Sequence, residues 1–238
     1  TLKRFTHLNY DHCEQLLKEN TSKYKNILLV TESIFSMDGD IADIKKLVQL
    51  KQQYRCNLLV DEAHAIGICG DKGTGLAADN IKDIDFLIGT FGKAFASSGA
   101  YVALTKQKKA LLINQCRSFI YTTASPLPVM YWNTIALEQI KKADPLRGKL
   151  ANLQTYFREE LIKLGFNVIG QSHIVPVIGE SITWLEKIKE DLKKNGIFVP
   201  LIKHPTVPKG QERFRFSIST DHSKEVLDDI INIFKNNC

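Results

Sequence analysis

The sequence predicts an α/β fold: a mostly parallel sheet followed by a smaller α+β domain. Three observations carry this. Ile27 to Val30, Leu58 to Val60 and Phe86 to Ile88 are short apolar runs that read as buried strands. Between the first two, Ile41, Ile44, Leu47 and Val48 recur at helical spacing after Asp40, an expected N-cap, and residues 52–55 carry the chain out of the helix. That makes a βαβ unit, and hence a parallel strand pair. Near Lys141 to Leu150 the pattern then changes to a long amphipathic segment, with Leu150, Leu153, Phe157, Leu161 and Leu164 in helical register and a stop at Gly165.

Beyond Gly165 the expected elements are a strand at Val175 to Ile178 and a helix from about Thr183 to Asn195, stopped by Gly196. A strand at Phe214 to Ser219 and a helix from Ser223 to Lys235 complete the set. The predicted division is therefore a large domain over residues 1–142 and a small one over 143–238. No internal repeat or low-complexity tract interrupts either.

Composition narrows the class. With 238 residues and 44% hydrophobic content the chain can bury a sizeable core. Its five cysteines are odd in number and scattered, with no C-x-x-C pair, so neither a disulfide framework nor a zinc site is indicated and a reducing cytoplasm is expected. No signal peptide or membrane-length apolar run is read. The net charge of +6 comes from lysines spread in twos and threes along helical stretches. Without a basic run interleaved with aromatics, that is a solvated face that favours acidic small molecules, not a nucleic-acid site.

In a parallel sheet the ligand lies beyond the carboxyl ends of the strands, and Ser36, Asp61 and Thr90 to Lys93 all follow their strands on that side. Lys93 stands in a turn flanked by Gly92 and small residues, where a backbone and a ligand approach closely. One lysine and one aspartate so placed are what pyridoxal 5'-phosphate requires. The amine can hold the cofactor aldehyde as a Schiff base, and the carboxylate can keep the pyridine nitrogen protonated so that the ring accepts electrons. Asp61-Glu62-Ala63-His64 also spells a helicase Walker B box. The matching phosphate loop fails, because Leu87 stands where its first glycine should be and Ala94 where its hydroxyl should be.

Five segments together resemble the α-oxoamine synthases, in order and spacing over nearly the whole chain. They are residues 30–40 (VTESIFSMDGD), 61–67 (DEAHAIG), 89–94 (GTFGKA), 117–123 (RSFIYTT) and 205–208 (PTVP) with Arg213-Phe214-Arg215. The resemblance implies a fold-type I pyridoxal phosphate-dependent transferase. Within the family the D-E-A-H, G-T-F-G-K-A and F-I-Y-T-T segments look most like the member that condenses L-alanine with a pimeloyl thioester. Relatives using glycine or serine are the alternative, as is a non-catalytic remnant or subunit.

Carried over residue by residue, the resemblance makes Lys93 the Schiff-base lysine and proton-transfer base, and Asp61 the partner of the pyridine nitrogen. His64 and Ser36 become cofactor hydrogen-bonding positions, with His64 also catalytic, and Thr90 a phosphate ligand. Thr206 and Arg215 become substrate contacts, Arg215 for a carboxylate. Tyr121-Thr122-Thr123 is similar to a segment that reaches the partner subunit's cofactor, which implies a homodimer with shared sites. The resemblance also implies that a long N-terminal portion of the large domain is absent, with a ring-stacking histidine and a glycine-rich phosphate segment. Ala96 stands where the family usually has glycine, a substitution expected to crowd the turn after Lys93, and Ser125-Pro126 interrupts the usual run after Thr123.

Overall fold

The computed structural model describes residues 1–237, which form two compact units. One comprises Thr1–Ser33 with Ala42–Asp144; the other comprises Ile34–Ile41 with the chain from Pro145 onward.

The first unit contains α1 (Tyr10–Asn20), β1 (Leu28–Glu32), α2 (Ile44–Tyr54), β2 (Asn57–Asp61), β3 (Phe86–Thr90), β4 (Ala100–Ala103), α3 (Lys106–Gln115), α4 (Arg117–Ile120) and α5 (Leu127–Lys141). The sheet order is β1-β2-β3-β4, parallel across the first three strands and antiparallel at β4. The three apolar runs thus form the parallel part, as expected. Burial corrects the reading of the first run, however. In β1 Leu29 and Thr31 are buried while Leu28 and Val30 are about half exposed, because β1 is an edge strand with one face open among the described residues. The α2 cap is also corrected: Asp43, not Asp40, caps the helix, its Oδ1 accepting from the Lys46 amide at 2.9 Å. Only Asp43 immediately precedes the first helical residue, where a side chain can reach the free amides of the first turn.

Asp85, just before β3, ties helices to the sheet. Its carboxylate accepts from the Leu58 amide at 2.7 Å and pairs with Lys51 of α2 at 3.0 Å and with Lys108 of α3. Burial raises its pKa, but these partners outweigh burial and hold the carboxyl below its ordinary value.

The second unit contains α6 (Asp144–Lys163, starting at the boundary), β5 (Asn167–Val168), β6 (Ile174–Ile178), α7 (Ile182–Lys194), β7 (Leu201–Ile202), β8 (Arg213–Ser217) and α8 (Lys224–Lys235). Its sheet is antiparallel in the order β5-β6-β8-β7. Of the register read for α6, Leu150, Phe157 and Leu161 are buried and Leu153 and Leu164 half-buried; α8 buries Leu227, Ile230, Ile231 and Phe234 on one face. Phe157 meets Phe216 edge-on at 5.0 Å and Phe166 meets Phe234 at 5.1 Å, with Trp184 and Phe214 closing the cluster. The fully buried rings Phe157, Phe214 and Phe234 each contribute about 1.5–3 kcal/mol by burial. No described helix is long and apolar enough to cross a membrane.

Candidate active site

β2 and β3 run parallel with Asp61 beside Ile88, so Asp61 and Thr90 close neighbouring strands at the same end. Asp61 is half-buried. Its Oδ1 accepts from the Ala63 amide at 2.7 Å, which bends the chain into the turn carrying His64; its Oδ2 has no hydrogen bond among the described residues. The turn is held by the Glu62 carbonyl, which accepts from the amides of Ala65 and Ile66 at 2.8 and 2.9 Å. His64 is half-buried on it.

The lysine loop is a closed structure. The Phe91 amide donates to Gly99 O and the Ser97 amide to Phe91 O, both at 2.9 Å. Thr90 Oγ1 accepts from the Gly92 amide and donates to Gly99 O, both at 3.2 Å, so its proton is already engaged within the loop. Phe95 is buried and packs edge-on against Phe91 at 5.2 Å, while its carbonyl accepts from Trp132 Nε1 of α5 at 3.1 Å. Lys93 is exposed, and its amine has no hydrogen bond or ion pair among the described residues. Ala96 is in the left-handed region at φ 48°, the conformation for which glycine is suited. The two motifs touch: a Cβ on Gly67 would stand 2.7 Å from the Cβ of Ala94, the neighbour of Lys93. The structure therefore brings Asp61, His64, Thr90 and Lys93 to one edge of the first unit.

Ser36, Thr206 and Arg215 belong to the second unit. Alternate residues of a strand share a face, which puts Arg213 and Arg215 of β8 on the same side. Their roles differ. Arg213, 1% exposed, uses every donor group: Nη1 pairs with Asp38, Nε donates to Gln211 O at 2.9 Å and Nη2 to Gln211 Oε1 at 3.2 Å. Arg215 donates through Nε to Ser36 O at 2.6 Å and through Nη1 to Ser217 Oγ at 2.7 Å, while Nη2 makes no hydrogen bond among the described residues. Arg215 is the arginine with a donor to spare. Thr206 is exposed in the turn between β7 and β8, its amide donating to Lys203 O at 3.0 Å.

Glu62, Trp132 and His173 were not anticipated. Strand alternation, continued one residue past Asp61, would have placed Glu62 in the core with Leu58 and Val60; Trp132 and His173 leave no comparable trace in sequence. Burial, with the Arg215 charge beside it, lowers the His173 pKa to about 4. For a pyridoxal phosphate, the first unit offers a free amine at Lys93 and an unshared carboxylate oxygen at Asp61.

Known proteins bear on this arrangement. The 8-amino-7-oxononanoate synthase of Chlorobaculum parvum is 40% identical over 232 residues, covering 95% of this chain and 58% of that protein. The structure of 8-amino-7-oxononanoate synthase from Francisella tularensis superposes with a TM-score of 0.83 at 25% identity, over 99% of this chain and 68% of that one. An SPT structure with its PLP internal aldimine gives a TM-score of 0.85 at 26% identity over 96% and 63%. The chain thus spans about three fifths of the length of the curated relatives it matches. These neighbours have the fold-type I architecture that the α/β sheet of the first unit displays. The aminotransferase class I and II profile matches residues 2–234. With its lysine loop against the aspartate turn at the carboxyl edge of a parallel sheet, this chain belongs to the aminotransferase class I and II family.

Proposed function

We propose that the chain is the lysine-bearing part of a pyridoxal phosphate-dependent α-oxoamine synthase of the 8-amino-7-oxononanoate type, working in biotin biosynthesis. The reaction joins L-alanine to a pimeloyl thioester and yields 8-amino-7-oxononanoate, carbon dioxide and the free thiol. The observation that carries this reading is the contact of the Asp61–Gly67 turn with the lysine loop, at Gly67 and Ala94. The 40–44% identity to synthases of that name supports the choice of substrates.

When bound, the cofactor supplies an electron sink for a carbanion at the amino-acid α-carbon. This chain's residues supply the rest. Asp61 Oδ2 would pair with the ring nitrogen and keep its charge in place, while the bond from Ala63 to Oδ1 fixes the carboxylate plane. Lys93 Nζ would anchor the cofactor and, once released from it, serve as the base that takes and returns the α-proton. His64 and Ser36 would hydrogen-bond the cofactor, and Thr90 would take the phosphate by turning its hydroxyl proton from Gly99 O. Arg215 Nη2 holds the carboxylate of the amino acid, its orientation preset by Ser36 O and Ser217 Oγ. Thr206 contacts the substrate. We assign residues 1–142 to the cofactor-binding domain and 143–238 to the small domain. The partner is a second copy, with Tyr121-Thr122-Thr123 reaching its cofactor phosphate, and the setting is the cytoplasm, in keeping with free thiols at Cys13, Cys56, Cys69 and Cys116.

Borohydride reduction in the presence of pyridoxal phosphate tests the assignment. The chain is co-expressed with the part of the Chlorobaculum parvum relative that it does not span, then reduced and digested. Selective modification of Lys93, lost in Lys93→Ala, is expected. Preferential trapping at another lysine removes Lys93 from its role.

A further inference from the structure

We propose that Glu62 is a positioning residue, its buried carboxylate holding the segment that follows β2 closed so that this segment buttresses the lysine loop. Asp61 and Glu62 are consecutive but serve opposite faces. Along β2 the even positions Leu58 and Val60 are fully buried, and Glu62 continues that side at 1% exposure, while Asp61 keeps to the half-buried side. A carboxylate there is costly where its oxygens are left unpaired, and here Oε1 carries the bonding while the buried Oε2 has no hydrogen-bond partner among the described residues. Glu62 Oε1 accepts from the Leu76 amide at 3.0 Å and the Ala77 amide at 2.9 Å, fourteen and fifteen residues further on. Burial pushes the carboxyl above its ordinary pKa, against the pull of the two amides.

The geometry around it is shaped for the carboxylate. A Cβ on Gly75 would stand 1.5 Å from Glu62 Oε2, and Gly75 lies at φ +91°, so a side chain there is excluded by both space and conformation. The intervening chain is laced to itself, the Gly67 amide donating to Gly73 O and the Gly75 amide to Cys69 O, both at 2.8 Å. Gly67, at the outer end of this lacing, abuts Ala94. A continuous path therefore runs from Glu62 through Gly75 to Cys69, along the chain to Gly70, whose carbonyl accepts from the Gly73 amide at 3.1 Å, and on through Gly67 to the residue beside Lys93. The loop is also held by the Trp132 bond to Phe95 O. Removing the carboxylate leaves the buried Ala77 amide and the half-buried Leu76 amide without an acceptor and frees the segment whose end supports Ala94.

Native-state hydrogen exchange on the full chain tests this, comparing Glu62→Ala and Glu62→Gln with the wild type. Leu76 and Ala77 report the staple, Ala96 and Ser97 the lysine loop, and the amides of β2 and β3 the sheet. In Glu62→Ala the Leu76 and Ala77 amides should exchange roughly ten- to a hundredfold faster, with Ala96 and Ser97 accelerating severalfold alongside and the sheet unchanged within about twofold. Glutamine keeps a carbonyl for both amides, and Glu62→Gln should restore all four to within about threefold of wild type. Glu62→Asp, which withdraws the carboxylate by one methylene, replaces the alanine variant if that does not fold, with the same ordering expected. Acceleration at Leu76 and Ala77 with Ala96 and Ser97 unmoved overturns the proposal, as does uniform acceleration of every amide or no change at all. The weight of this residue for catalysis rests on the reading of Lys93 above. Borohydride trapping decides that reading and exchange decides this one, so the two fail separately.

Discussion

Replacing Ala96 by glycine should stabilise the protein, against the usual effect of that substitution. Ala96 sits at φ 48°, where its Cβ crowds the neighbouring carbonyl at a cost of about 1–2 kcal/mol. Its side chain is exposed, so truncation removes little burial, and its amide bond to Lys93 O at 2.9 Å is retained by glycine. Against the relieved strain stands the larger conformational freedom of glycine in the unfolded chain, about 0.4–1 kcal/mol. The difference is a gain of about 0.5–1 kcal/mol, or roughly 1–4 °C in Tm for a chain of this size. Ala110, exposed in α3, provides the contrast: the same change there should lose about 1 kcal/mol by helix propensity. Urea unfolding of the three proteins, with equal m-values, is the assay. A loss at Ala96 equal to that at Ala110 would refute the reasoning, because it would mean that the backbone there is not left-handed in solution.

Asp85→Asn should lose about 2 kcal/mol at pH 7 by breaking the link between Lys51, Lys108 and the Leu58 amide. The Asp85 pKa is lowered in the fold, so its contribution is present above the unfolded carboxylate range and is lost as pH falls through the folded value; the deficit, read by urea titration, should shrink below about pH 4. His173 has the acid-side signature of a histidine buried neutral. With its pKa lowered to about 4, the stability it contributes is complete above the unfolded value and is lost as pH falls toward 4, by at most about 1.4 kcal/mol per pH unit, a slope that His173→Asn should flatten. Asp61→Asn keeps an acceptor for the Ala63 amide and should fold normally, yet slow α-proton exchange of alanine in the cofactor-loaded, complemented enzyme by about a hundredfold or more; unchanged exchange would remove Asp61 from its role. In the same enzyme, alanine with the pimeloyl thioester should turn over faster than glycine with the acetyl thioester, whereas the chain by itself should release no thiol.

The sequence by itself determined the parallel strands, the long helices and the residues at the carboxyl edge. Those rest on local signals: an apolar run of strand length, a helical period, a glycine stop, and a lysine between glycine and alanine just after a strand. It could not show that β4 returns antiparallel, because Ala100–Ala103 is short and only half-buried and becomes a strand through its pairing with β3. Nor could it choose between Asp40 and Asp43 as the cap, since both are good capping residues and the choice depends on where the first helical turn begins. Arg213 and Arg215 are indistinguishable as letters. Tertiary structure alone decided that Asp38 and Gln211 occupy every donor group of one, while the other retains Nη2. Glu62 marks the same boundary. Strand period fixes which face it takes, but only folding brings Leu76 and Ala77 onto its carboxylate, because hydrogen bonds between residues far apart in sequence form only once the chain has closed the loop between them.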